Sequence, residues 1–237
     1  MPKAYDHWKV LPHLPLEPIA DNAWRLQGSL EGMGLKRVMT IARRSDGGLV
    51  VHNPIAVDDA TREAIEGLGE VAYLVVPNGY HRLDTPAFKA RYPDARVVCP
   101  PAARRKVEEV VAVDLTCPEV PADDAVSFRE VEGIGGLEWV MVIRSADGVT
   151  LVFNDLIFNV PHGSGLTGFV FRYLTDSTGG PKVSRVVRWF VMKDRKALKA
   201  DLERLAETED LRRIVVSHHR MIDDKPREVL KEVAARL

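Results

Sequence analysis

The chain reads as a mixed α/β protein of the α+β kind, a four-layer αββα sandwich. Three observations carry that reading. Short β patterns come in two separate groups, each followed by helical patterns. The run at residues 71–77 is continuously apolar, and 213–217 has Ile214-Val-Val216 at its centre, as in strands buried on both faces. The amphipathic stretches at 195–207 and 225–237 have one apolar side each, which needs a sheet to cover it.

In chain order, residues 1–19 hold prolines at 2, 12, 15 and 18 and read as an extended arm over the body. Residues 20–237 read as one domain. Strand patterns at 23–28, 36–44 and 49–53 form a hairpin or meander, with Ser45-Asp-Gly-Gly48 as a turn. Asp58 or Asp59 caps a helix to about Leu68, where Gly67 and Gly69 mark the end. After the strand at 71–77, Thr85 caps a short helix with Pro86 at its first position. A strand at 96–99 and a short helix at 101–109 follow. The second group places strands at 126–131, 137–143 and 149–155. Residues 156–193 form a long insertion rich in Gly, Ser and aromatics. The order closes with the helix at 195–207, the strand at 213–217 and the helix at 225–237, which Asp223-Asp224 precede as a cap.

Composition excludes several classes. The 33 basic and 34 acidic side chains nearly cancel, so no overall basic excess points to nucleic acid. No run approaches the ~18 apolar residues of a membrane span, and the first residues lack a signal-peptide core. Cys99 and Cys117 are too few for a disulfide framework and read as free thiols in a reducing compartment. The expectation is a cytoplasmic protein with no membrane or nucleic-acid partner. No Walker loop, G-x-S-x-G elbow or dinucleotide fingerprint occurs; Gly163-Ser-Gly165 and Gly179-Gly180 read as turns.

The segment from Tyr73 to Pro101 is the most informative. A buried strand runs into a loop with one histidine, then a short helix, then RYPDARVV and a second strand. In this the chain resembles the metallo-β-lactamase fold superfamily, over roughly residues 20–222, and most of all its members with a depleted metal motif. Counting back from RYPDARVV, the H-x-H-x-D-H positions of active members fall on Val76, Asn78, Tyr80 and His81. Only the last is a strong ligand, because valine cannot ligate, Asn78 offers a neutral oxygen and a tyrosine phenol ligates weakly. The family's next histidine would fall near residues 132–136, where none stands. The resemblance then implies a second site on His81, Asp155 and His218, with His219 as a one-residue alternative. That His₂-carboxylate set would suit one Zn or Fe ion.

The implied activity is metal-dependent hydrolysis of a small ester- or thioester-type bond, with His81, Asp155 and His218 catalytic. The competing reading is a non-catalytic binding or interaction protein that keeps the fold and holds no metal. A metal-free variant would use His81 as a general base oriented by Asp155. Without the resemblance, His81 reads as a loop histidine bonded to backbone and Asp155 as an Asx cap. For a small-molecule ligand, the candidate contacts are Asn78, Tyr80, His162, Arg172 and Arg188, with Arg185 and Ser217 as further polar groups. The insertion concentrates Phe158, Phe169, Phe171, Tyr173, Trp189 and Phe190. It reads as a pocket wall, or as a cover of the sandwich that makes a homodimer contact.

Overall fold

Period-two alternation divides the long strands between two environments. The computed structural model describes residues 4–163 and 169–237. Its longest strand, β3 (Met33–Arg43), turns Val38 and Ala42 toward an inner core and Met39 and Ile41 toward an outer one. β1 (Glu17–Ala20), β2 (Ala23–Leu30), β3 and β4 (Leu49–His52) are antiparallel. β5 (Val71–Val75), β6 (Arg96–Cys99) and β7 (Leu115–Thr116) then continue the sheet in parallel, in the order β1 to β7. The second sheet holds β8 (Val126–Glu130), β9 (Trp139–Ser145), β10 (Gly148–Phe153) and β11 (Leu211–Val216), in the order β11-β10-β9-β8.

The inner faces meet in a core of Val38, Val50, Val75 and Val98 from one sheet and Met141, Ile143, Val152 and Val215 from the other. On the outside of the first sheet lie α1 (Asp59–Glu66), through Ile65, and α2 (Thr85–Arg91), through Phe88. α3 (Arg104–Val107) covers Val97 and Cys99 through Val107. The second sheet is covered by α4 (Arg195–Ala206), through Leu198, Leu202 and Leu205, and by α5 (Pro226–Ala235), through Leu230 and Val233. Helix, sheet, sheet, helix is the four-layer αββα sandwich. Burying each of these Leu and Phe side chains removes apolar surface worth roughly 1.5–3 kcal/mol.

Local details depart from the sequence reading where packing outweighs pattern. β1 lies partly inside the expected arm: the Asp21-Asn22 turn folds it back on β2 at a sheet edge, where Pro18 costs no ladder bond. The rest of the arm follows the body, with Trp8 packed on Phe88 at 4.6 Å and its Nε1 donating to the Val57 carbonyl at 2.8 Å. β7 is two residues long, too short to show a period. Residues 101–109 split into a 3₁₀ turn (Pro101–Ala103) and α3. Asp84 takes the N-cap position before α2, leaving Thr85 as the first helical residue. Lys225, at φ 47°, takes that position before α5, where no side chain caps the helix. Asp58 caps α1 by accepting from the Thr61 N–H, and Asp194 caps α4 through the N–H groups of Lys196 and Ala197. Cys117 is buried in a 3₁₀ turn, and both cysteines are free.

The loop at 132–136 is a packing device. Ile134 is buried, and the Gly133 carbonyl accepts the N–H groups of Lys193 and Asp194 at the start of α4. Gly133 sits at φ +82°, and a Cβ there would come within 2.4 Å of the Asp194 carbonyl oxygen. Gly133→Ala is expected to destabilise the fold by more than about 1 kcal/mol in urea unfolding. Gly32→Ala, at a similar φ of +70° but in open space, is expected to cost less.

Candidate metal centre

Parallel pairing decides where the site forms. β4 and β5 run side by side in one direction, so Asn53 and the loop 76–84 leave the first sheet at one edge. β10 and β11 are the parallel pair of the second sheet, so Asp155 and His218 leave it together. The Val38 N–H donates to the Ser217 carbonyl at 2.8 Å, bringing the two edges together.

There His81, Asp155 and His218 converge, with their ligand atoms all within 4.8 Å of one another. This is the only such group of His, Cys, Asp or Glu among the described residues. Nε2 of His81 and Nε2 of His218 each lie 3.1 Å from Asp155 Oδ1. The imidazole centroids are 5.1 Å apart, and Phe158 stacks on His218 at 5.6 Å, nearly coplanar. The Asp155 side chain retains 27% exposure and both histidines are nearly buried, so the carboxylate is the part of the cluster that faces solvent.

The outer partners fix the tautomers. His218 Nδ1 faces the Lys36 carbonyl at 2.8 Å, and a carbonyl only accepts. Its Nδ1 therefore carries the proton. Asn53, buried at φ 57°, donates its amide to the Val38 carbonyl at 2.8 Å, so its Oδ1 is the acceptor 3.1 Å from His81 Nδ1. His81 Nδ1 is a donor too. Both remaining Nε2 lone pairs point at a carboxylate. Asp155 is held well below the usual carboxylate range. Burial alone would raise it, but the positive charge of a protonated His81, and the hydrogen bonds that protonated His218 and His81 would donate, override burial.

The other motif positions have other work. Val76 is fully buried against α3. Asn78 Oδ1 accepts the N–H groups of Tyr80 and His81 at 2.7 and 3.0 Å, which forms the turn that presents His81. Its Nδ2 donates to Asp155 Oδ2 at 2.6 Å. Tyr80 projects outward at 64% exposure. Of the remaining named residues, His219 faces away and accepts from the Lys36 N–H at 3.1 Å. Its Nε2 is thereby occupied, and burial lowers its pKa to about 4. His162 bonds Thr178, Arg172 lies over the Tyr173 ring, Arg185 donates to the Tyr173 carbonyl and Arg188 pairs with Asp176. All four are thus engaged within the insertion, whose start is stitched to the site by the Asn159–His219 bridge. Ser217 Oγ donates to the Phe153 carbonyl at 3.5 Å.

Sequence reasoning missed Asn53, the Lys36 carbonyl and Glu138. Asn53 had a local signal, an amide at the end of a buried strand. The carbonyl had none. A polar layer also lies beneath the site: His52 and Thr40 are cross-strand neighbours, and both imidazole nitrogens of His52 are buried without a hydrogen-bond partner. Burial, with His81 adding to it, lowers His52 to about 3 and keeps it neutral. A cleft of about 610 Å³ lies at the opposite strand edge, among Asp46, Glu70, Asp94 and Arg96, and includes none of the site residues.

No profile of a known protein family matches the chain, and no curated protein sequence matches it. Solved structures do. The chain is similar to the DIM-1 metallo-β-lactamase, at 11% identity and TM-score 0.60 over 96% of this chain and 99% of that one. A metallo-β-lactamase from Pontibacter korlensis aligns at 12% and 0.57, over 94% and 99%. One from Erythrobacter litoralis, with beta mercaptoethanol in its active site, aligns at 13% and 0.61, over 94% and 96%. The chain has the metallo-β-lactamase fold. At such identities the likeness is one of fold, and the chemistry of this metallo-β-lactamase-fold protein rests on its own residues.

Glu138 supports the site from below. It is buried and accepts the Asn154 N–H at the turn that leads into Asp155. Burial pushes its carboxyl up to about 8, against the pull of that N–H. In the unfolded chain the group titrates at about 4.3. The folded state therefore holds a proton that the unfolded state has lost between these values, and stability falls as pH rises through that window. In urea unfolding from about pH 5 to 8, the wild type is expected to lose stability relative to Glu138→Gln. A pH-independent difference between the two would contradict the assignment.

Proposed function

We propose that His81, Asp155 and His218 hold one Zn²⁺ or Fe²⁺ ion, and that the protein hydrolyses a small substrate with an ester- or thioester-type bond. The observation that carries this is the pair of fixed tautomers. With both Nδ1–H groups committed to the Lys36 carbonyl and Asn53, two imidazole lone pairs and a carboxylate come within 4.8 Å of one another. Three acceptors in such proximity call for positive charge beside them, and a shared ion would supply it. The donor set fits the ion: two imidazoles and a carboxylate, with Nδ1 partners of the usual kind. Separations of 3.1 Å from each Nε2 to Oδ1 are close to the edge of a tetrahedron whose bonds are about 2.0–2.1 Å.

A bound ion would supply Lewis-acid polarisation of a carbonyl and make water acidic enough to react near neutral pH. The chain's own residues do the positioning. Asn78 holds Asp155 Oδ2 and so turns Oδ1 toward the histidines. Phe158 walls one side of His218 and limits water there. Tyr80 stands exposed at the rim, where a substrate would pass it. With Val76 buried and Asn78 committed to the loop, the residues support one metal position, a weaker electrostatic stabiliser than two.

Metal analysis of chelator-stripped protein reconstituted with Zn²⁺ or Fe²⁺ is expected to give one ion per chain. Single His81→Ala, Asp155→Ala and His218→Ala variants are expected to lose affinity by tenfold or more, and His219→Ala to retain it. The same protein is expected to cleave members of an ester and thioester panel only when loaded. Sub-stoichiometric metal that His81→Ala leaves unchanged would favour a non-catalytic binding protein.

A further inference from the structure

Exposed apolar side chains of this protein are concentrated in one segment. Phe169, Tyr173, Leu174, Val186, Trp189 and Phe190 make up six of the ten large exposed hydrophobics among the described residues. Trp189 and Phe190, neighbours in sequence, are 72% and 73% exposed. The six side chains lie on, or cap, two π-helical turns, Val170–Leu174 and Val187–Val191, closed by Thr175 N–H to the Val170 carbonyl and Met192 N–H to the Val187 carbonyl. The turns form one surface. The Arg185 N–H donates to the Thr175 carbonyl, its guanidinium to the Tyr173 carbonyl, and Arg188 pairs with Asp176. Phe169 and Tyr173 touch at 4.9 Å. Val183 and Val187 anchor the second turn inward, which leaves its other side uncovered.

The same segment is basic. Residues 169–196 hold seven Lys and Arg against two Asp. The remaining chain holds 26 basic and 32 acidic residues, the balance of 33 and 34. One of the two acids, Asp176, is spent on Lys182 and Arg188, and the other, Asp194, caps α4. Arg172 lies exposed over the Tyr173 ring, and the exposed Lys193, Arg195 and Lys196 follow Trp189 and Phe190 closely in sequence. A two-fold contact between copies would set this positive surface against itself. An anionic membrane surface complements it on both counts. Aromatic rings enter the headgroup boundary while Arg and Lys meet the phosphates.

We propose that the aromatic-basic face at residues 169–196 docks this protein peripherally on anionic lipid bilayers. No described helix is long and apolar enough to cross a membrane, so the contact is one of surface. It is independent of whether a metal binds at His81.

The test uses the full chain and vesicles of phosphatidylcholine, alone or mixed with phosphatidylglycerol. Co-sedimentation with the mixed vesicles only is expected, weakening as salt rises, with a blue shift of tryptophan emission. Trp189→Ala/Phe190→Ala is expected to reduce partitioning at least ~10-fold. Lys193→Glu/Arg195→Glu is expected to reduce it at low salt and to flatten the salt dependence. Both pairs are exposed, and unchanged unfolding curves check that the fold survives. Absence of binding to mixed vesicles would overturn the proposal, as would binding that both double variants retain. A concentration-dependent dimer that Trp189→Ala dissociates would also overturn it, since a second copy would then cover the face.

Discussion

Two protons held at Nδ1 organise the site. Once the Lys36 carbonyl takes one and the Asn53 amide oxygen the other, neither imidazole can turn a neutral N–H toward Asp155. Both present lone pairs to a carboxylate, and repulsion between three acceptors has to be offset by positive charge. The fold supplies what this requires. Two parallel strand pairs, one in each sheet, deliver their loops to the same edge, and the Val38–Ser217 bond closes the sheets there. Lys36 and Asn53 belong to the first sheet, and His218 to the second. The tautomer of His218 is therefore set across the interface between sheets, and loosening that interface would release the site.

The loop at 76–84 keeps its shape with a single histidine because its other positions are structural. Asn78 closes the turn through two backbone N–H groups and reaches Asp155 with its amide. Asp84 receives Arg37 and the Ala56 N–H in a buried ion pair, which ties the end of the loop back to β3 next to Lys36. One connected set of bonds thus runs from the His81 loop through β3 to the acceptor of His218. Removing either partner of Arg37–Asp84 would strand a buried charge, so this pair is more consequential than the exposed ion pairs elsewhere on the protein.

Much of this architecture was legible in the sequence because strand burial leaves a mark on composition. The runs around Val75 and Val216 could be read as buried strands, and the apolar side of α4 as a covering helix. The positions of His81, Asp155 and His218 came from resemblance alone, since no spacing in a chain shows that residues 63 and 137 positions apart meet. The tautomers were not legible at all. They depend on a main-chain carbonyl, which every residue has, and on the left-handed backbone of Asn53, which an asparagine allows but does not announce. Edge elements such as β7 escaped because two residues carry no period, and β1 because its prolines read as an arm.

The source of the positive charge can be narrowed by counting the cations beside the site. Lys36 donates its ammonium to Ser29 Oγ at 2.9 Å. Arg37 is neutralised by Asp84, and Arg82 pairs with Glu109 at 2.9 Å. His52 lies directly beneath, but burial keeps its imidazole neutral. None of these compensates Asp155 and the two Nε2 lone pairs. Within the cluster itself, the charge is either a proton on an imidazole or an ion shared by all three groups. A proton on one Nε2 satisfies that nitrogen and the carboxylate but leaves the second lone pair facing Oδ1 at 3.1 Å. An ion at the proposed position would satisfy all three at once, which is the argument for the proposed metal over the metal-free base.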